Sequence, residues 1–171
     1  MRAAAAAAIE LVILDVDGVL TDGRLYLGPR GEALKCFHVR DGHGIKRAQD
    51  AGIDFAVISG RKSQAVALRC RELGIQTVIQ NCKDKLQAFD LLVKRLGTAR
   101  AQCACIGDDE PDVPLMRAVG LSFAVADAHA SALAAAHRVT KSAGGAGAVR
   151  EVCDLLLAAR HRRSARAAPV R

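Results

Sequence analysis

The chain has no tryptophan, one tyrosine and four phenylalanines in 171 residues, so its core must be built from Ala, Val, Leu and Ile. No apolar run approaches the ~20 residues needed to span a bilayer. The six cysteines lack paired metal-type spacing and there is no Leu-rich secretory segment, so they read as reduced thiols of a soluble, cytoplasmic protein. Cys103 and Cys105 alternate along an expected buried strand and should face the same way. The start, Met-Arg followed by six alanines, runs straight into Ile9-Glu10 without a cleavage site. The net charge of +7 is concentrated at one end: Arg160–Arg171 holds five arginines and no acid. No aromatic residue interleaves with them, so the tail reads as a frayed basic terminus rather than a nucleic-acid arm.

The expected organisation is an Ala-rich disordered start (residues 1–8), one domain (9–159) and a basic disordered tail (160–171). Within the domain, short apolar runs alternate with helical patterns. The runs are Leu11–Leu14, Phe55–Ile58, Thr77–Ile79, Cys103–Ile106 and Ser122–Val125. Helical stripes fall at Leu86, Phe89, Val93 and Leu96, at Val66, Cys70 and Leu73, and at Val149, Val152, Leu156 and Ala159. Continuous apolar strands between amphipathic helices predict an α/β fold, a doubly wound parallel sheet with helices on both faces. One segment breaks the rhythm: Arg24–Leu27 and Ala33–Phe37 flank Gly28-Pro-Arg-Gly31 and predict a β-hairpin.

Ligands of such sheets bind beyond the carboxyl ends of the strands. Asp15-Val-Asp-Gly-Val-Leu-Thr-Asp-Gly23 follows the first strand, Ser59-Gly-Arg61 another, and Gly107-Asp-Asp-Glu-Pro-Asp112 a third. Like charges crowded at a strand end need a cation, and an all-oxygen set suits Mg²⁺. With Lys85, the parts match phosphate-monoester chemistry. Asp15 can attack phosphorus and Asp17 can move the proton, while Ser59, Lys85 and turn N–H groups grip the phosphoryl oxygens. Each part alone has a bland counterpart. Ser59 is also a helix cap, Lys85 a surface lysine with Lys83 as a rival, and Arg69 a partner for Glu72. Their joint order favours the catalytic reading.

That order resembles the haloacid dehalogenase superfamily of phosphohydrolases. Phe37-His-Val-Arg-Asp-Gly-His-Gly44, Val125-Ala-Asp-Ala-His129 and Gly144-Gly-Ala-Gly-Ala-Val-Arg-Glu151 resemble its branch acting on 3-deoxy-D-manno-octulosonate 8-phosphate, a lipopolysaccharide precursor. The resemblance implies a Rossmann-like fold without a cap domain, since only the hairpin fills the interval where many relatives insert one. It implies Asp15 as nucleophile and Asp17 as acid/base. Mg²⁺ would be held by Asp15, the Asp17 carbonyl and Asp108, with Asp112 orienting the metal waters or Lys85. Substrate contacts would come from Asp17, His38, Val39, Arg40, Asp41, Gly42, Lys46, Arg61, Arg69 and Lys85. A homotetramer would pack the hairpins together and complete each open site, with Gly144–Gly147 read either as a closing element or as a plain loop. Two other readings are a phosphatase for a nine-carbon sugar acid 9-phosphate and a non-catalytic oligomerisation module. The intact charge cluster argues against the module.

Overall fold

The computed structural model describes residues 3–29 and 31–167. In chain order the elements are α1 (Ala3–Ala7), β1 (Leu11–Leu14), β2 (Tyr26–Gly28), β3 (Gly31–Leu34), α2 (Val39–Asp50) and β4 (Asp54–Ile58). There follow α3 (Gln64–Leu73), β5 (Thr77–Ile79), α4 (Lys85–Leu96), β6 (Cys103–Gly107) and α5 (Val113–Ala118). The last are β7 (Leu121–Ala124), α6 (Ala130–Ala135), β8 (Arg138–Val139) and α7 (Ala148–Ala167). Six strands form one sheet in the order β5-β4-β1-β6-β7-β8, every neighbouring pair parallel, and β2 and β3 form a separate antiparallel hairpin.

Strand periodicity sorts the apolar residues into two cores. Val12, Leu14, Phe55, Val57, Ala104, Ile106, Leu121 and Phe123 face α1, α2, α3 and α7. Leu11, Ile13, Ala56, Ile58, Cys103 and Cys105 face α4, α5 and α6. The two cysteines thus share a face as expected, and all six thiols are free. Burial pushes the Cys103 thiol up to about 11 and Cys105 well above its ordinary value, so both stay protonated and apolar. From β1 the chain builds outward through β4 and β5, then returns to β6 on the other side of β1. That reversal opens a crevice beyond the carboxyl ends of β1 and β6.

Several expectations need correction. The alanine-rich start is a helix, not a disordered segment: Ala6 and Ala7 are buried in the core lined by α7. Residues 1–2 lie outside the described residues. The basic tail continues α7 as far as Ala167, and the Arg160 guanidinium donates to the carbonyl of Ile9 at 2.7 Å. Residues 168–171 lie outside the described residues. Leu96 is exposed at the last turn of α4, and Leu92 takes its place in the core beside Phe89 and Val93. The hairpin strands are shorter than the apolar alternation indicated, and Arg30 of its turn lies outside the described residues. The edge strand β8 has only two residues, too short to leave a pattern. If α1 is a packed element, Ala6→Asp lowers unfolding free energy by about 1–3 kcal/mol in urea titration, because a carboxylate enters an apolar contact. A disordered start would leave stability unchanged.

Candidate active site

Four buried or half-buried charges meet where β1 and β6 end. Lys85, the first residue of α4, is held there because Asp84 caps the helix, accepting from the N–H of Gln87 at 2.9 Å. Its ammonium donates to Asp15 Oδ1 at 2.8 Å and Asp112 Oδ1 at 2.7 Å. Lys83 is exposed, so the spacing ambiguity resolves in favour of Lys85. The other oxygen of Asp112 accepts the N–H groups of Asp108 and Asp109 at 3.1 and 3.4 Å, which shapes the loop after β6. Asp15, Asp108 and Asp112 present carboxylate oxygens within 4.8 Å of one another. Two glycines let them approach: a Cβ on Gly18 would lie 2.1 Å from Asp108 Oδ2, and one on Gly107 would lie 2.6 Å from Asp112 Cβ.

The electrostatics follow from crowding. Burial, then the charge of Asp112, raises Asp15 to about 6 despite Lys85. Burial, then Asp15 and Asp112, raises Asp108 to about 8. Burial alone would lower Lys85, but the two carboxylates outweigh it and hold the ammonium above its ordinary value. Three carboxylates around one ammonium leave two negative charges when all are ionised, the charge of one divalent cation. The donor set is all oxygen, so the cluster fits Mg²⁺.

Asp17 stands at the mouth of this cluster. Its Oδ1 accepts a bond from Lys35 of the segment following β3, and its Oδ2 lies 3.7 Å from Arg61 Nε. Lys35 also lies 3.3 Å from Glu32, whose other oxygen accepts from the Ser63 hydroxyl. These hairpin contacts are absent from the sequence reading. Ser59 is buried, its N–H bonded to the Ile79 carbonyl at 2.9 Å, and its hydroxyl accepts from the N–H of Arg61 at 3.4 Å.

A second group of expected substrate residues lies elsewhere in a single copy of the chain. His38 caps α2, Val39 and Arg40 are exposed beside it, and Asp41 is buried with Oδ1 accepting from the N–H of Arg150 at 2.7 Å. Arg69 pairs with Glu72 at 2.8 Å and abuts Gly42, where a Cβ would lie 2.2 Å from its guanidinium. Lys46 sits against Gly74 at the far end of α3 from Ser63, so neither Lys46 nor Arg69 reaches the carboxylate cluster. The Gly144–Gly147 segment is also committed. Gly144 accepts no side chain, since a Cβ would fall 1.6 Å from the Gly18 carbonyl oxygen. Its N–H donates to Asp127 at 2.9 Å, and the N–H of Gly145 donates to Val19 at 3.0 Å. It braces the turn that carries Asp17.

The haloacid dehalogenase-like hydrolase profile matches residues 77–152. An Escherichia coli K12 protein named 3-deoxy-D-manno-octulosonate 8-phosphate phosphatase is 54% identical over 151 residues, 88% of this chain and 80% of that protein. The chain belongs to that phosphatase family. The Moraxella catarrhalis member, crystallised with magnesium, phosphate and KDO, superposes with a TM-score of 0.91 at 40% identity, covering 95% of this chain and 94% of that one. A cobalt-bound Haemophilus influenzae member gives 0.90 at 44% identity, covering 96% of both chains. Among the described residues only the hairpin β2–β3 stands between β1 and α2, and no cap domain is present, as expected.

Two outcomes test the site as built. Asp15 and Asp108 bind protons more tightly folded than unfolded. The stability they contribute without metal is therefore complete below the ordinary carboxylate range, and is lost as pH rises through about 6 and about 8. Thermal unfolding in EDTA should show Tm falling across that window, and Mg²⁺ should raise Tm more at pH 8 than at pH 5. Gly144→Ala should lower stability by about 1–3 kcal/mol and turnover by about tenfold or more, read by melting and by phosphate release, because the new methyl displaces the Asp17–Gly18 turn.

Proposed function

We propose that this protein hydrolyses 3-deoxy-D-manno-octulosonate 8-phosphate to the free sugar acid and phosphate, in a divalent-metal-dependent reaction through an aspartyl-phosphate on Asp15. The observation carrying this reading is Asp15 at the end of β1, paired with Lys85, close to Asp108 and two residues from a second carboxylate at the site mouth. The names of the relatives supply the substrate.

In the first half-reaction a carboxylate oxygen of Asp15 forms a bond to phosphorus as the bond to the sugar oxygen breaks. Asp17, protonated, gives its proton to that departing oxygen. In the second, Asp17 takes a proton from water, whose oxygen attacks phosphorus and releases Asp15 and inorganic phosphate. Lys85 holds Asp15 in line and balances charge, while the Ser59 hydroxyl and turn N–H groups bind phosphoryl oxygens. Asp15, the Asp17 carbonyl and Asp108 would hold Mg²⁺, whose positive charge would let a carboxylate meet a phosphate dianion. Asp112, both oxygens already engaged, orients Lys85 and the Asp108 loop.

Leu25, Leu27, Leu34 and Val39 are exposed around the hairpin. Burying them between copies in a homotetramer would bring His38–Gly42, Lys46 or Arg69 of one subunit toward the site of another. The family's substrate name, the lack of any described helix able to cross a membrane, and the free thiols support a cytoplasmic step in lipopolysaccharide precursor synthesis. Phosphate release from this sugar phosphate and from a nine-carbon sugar acid 9-phosphate, with and without Mg²⁺, decides the substrate; indifference to the eight-carbon compound rejects the reading. Asp15→Asn should cut turnover by about 10³-fold or more while the protein still folds and assembles. Surviving turnover would remove Asp15 from the nucleophile's role.

A further inference from the structure

Lys35 has no task in the mechanism above, yet its side chain is only 2% exposed although it follows an exposed hairpin strand. Lysine is almost never that buried without partners. Its ammonium lies between two carboxylates, Asp17 on one side and Glu32 at 3.3 Å on the other. Glu32 in turn accepts from the Ser63 hydroxyl. Ser63 is itself anchored: its N–H donates to Gln80 Oε1 at 2.6 Å, and its hydroxyl accepts from the N–H of Val66 as the cap of α3. An unbroken polar path therefore runs from the end of β5, through the start of α3 and the hairpin, to Asp17.

We infer that Lys35 is a positioning residue for the proton-transfer step, fixing the Asp17 carboxylate through the Glu32–Ser63 latch. The inference rests on Asp17 being the acid/base. A carboxyl group at a site mouth has several rotamers, and proton transfer needs the correct oxygen within hydrogen-bond reach of the leaving group. The other restraint on Asp17 is weak, because Arg61 is half-exposed and 3.7 Å away. Lys35 instead grips one oxygen from a buried, pre-ordered position, which leaves the second to face the substrate. Its burial between acids also argues against a direct substrate contact, since an ammonium that binds substrate must present open donors to it.

The test compares leaving groups. An alkyl sugar oxygen needs a proton to depart; the p-nitrophenolate of p-nitrophenyl phosphate does not. The full-length protein with Mg²⁺ and its Lys35→Met, Lys35→Arg, Glu32→Gln and Asp17→Asn variants are assayed on the sugar phosphate and on p-nitrophenyl phosphate. Lys35→Met should lower kcat/KM on the sugar phosphate by about 10- to 100-fold with KM changed less than about threefold, and lower kcat/KM on the aryl ester several-fold less. Lys35→Arg should restore most of the loss. Glu32→Gln, which keeps the lysine and weakens the latch, should show the same substrate ratio in milder form, and it carries the test if Lys35→Met does not fold. Equal losses in kcat/KM on both substrates would make Lys35 merely structural, and a rise in KM alone would make it a substrate ligand; either overturns the inference. Asp17→Asn separates the two failures. If its loss depends on the leaving group and that of Lys35→Met does not, only the positioning role falls. If its loss in kcat/KM, which excludes the shared hydrolysis of the aspartyl-phosphate, is equal on both substrates, the acid/base assignment falls with it.

Discussion

The contact between the Lys85 ammonium and the carboxylates of Asp15 and Asp112 is the constraint around which the active-site end of the fold is arranged. Taking such charges out of water costs several kcal/mol per ion, and their mutual attraction seldom returns much more than that. Stability is therefore a poor reason for the triad to exist. Its geometric consequence is large: one cation lets acids from the ends of β1 and β6 stand within a few ångströms of each other. Without it, Asp15 and Asp112 would repel, the loop tied by Asp112 to the N–H groups of Asp108 and Asp109 would open, and the hard-cation cage would lose a wall. Glycines at 18, 107 and 144 are the covalent counterpart of the same demand. Each is placed where a side chain would collide with an acid or with the turn that bears one.

The sheet was legible because its central strands are covered on both faces and so appear as unbroken apolar runs. The hairpin and the chain ends were not. Tyr26–Gly28 and Gly31–Leu34 are mostly exposed, so no burial pattern marks their limits. An alanine run looks the same whether it packs or frays, and only the groove beside α7 decides for Ala6 and Ala7. At the site, Asp15, Asp17, Ser59, Asp108 and Asp112 could be found because each follows the end of a strand. Lys85 could not be separated from Lys83 by spacing alone. The Asp84 cap settles it by starting α4 at Lys85, which points that side chain to the crevice and leaves Lys83 in solvent. Lys35 and Glu32 were invisible for a different reason: their partners, Asp17 and Ser63, lie 18 and 31 residues away in the chain.

Those hairpin contacts bear on how a capless phosphatase manages its substrate. Closing an active site excludes water and strengthens the electrostatic interactions inside it. Here Lys35, just after the hairpin, contacts Asp17 within one copy, while the hairpin's leucines stand exposed. Among the described residues, the cations beside these carboxylates are also few. Lys85 is consumed by Asp15 and Asp112, Lys35 by Asp17 and Glu32, and Arg61 is the exposed one beside Asp17. A sugar acid phosphate is charged at both ends, so its carboxylate needs a second group of donors. Arg40 and His38 lie at the start of α2, Lys46 of α2 reaches Gly74 at the end of α3, and Arg69 of α3 lies against Gly42 and Glu72 rather than the carboxylates. Under the proposed function, one copy would offer donors for the phosphate beside Asp15, while these cationic residues of α2 and α3 lie away from it. Docking hairpins between copies, as in the proposed tetramer, would cover apolar surface and supply that second end in the same event. Substrate recognition and assembly would then be linked: a substitution that weakens hairpin packing should raise KM for the sugar phosphate before it lowers kcat.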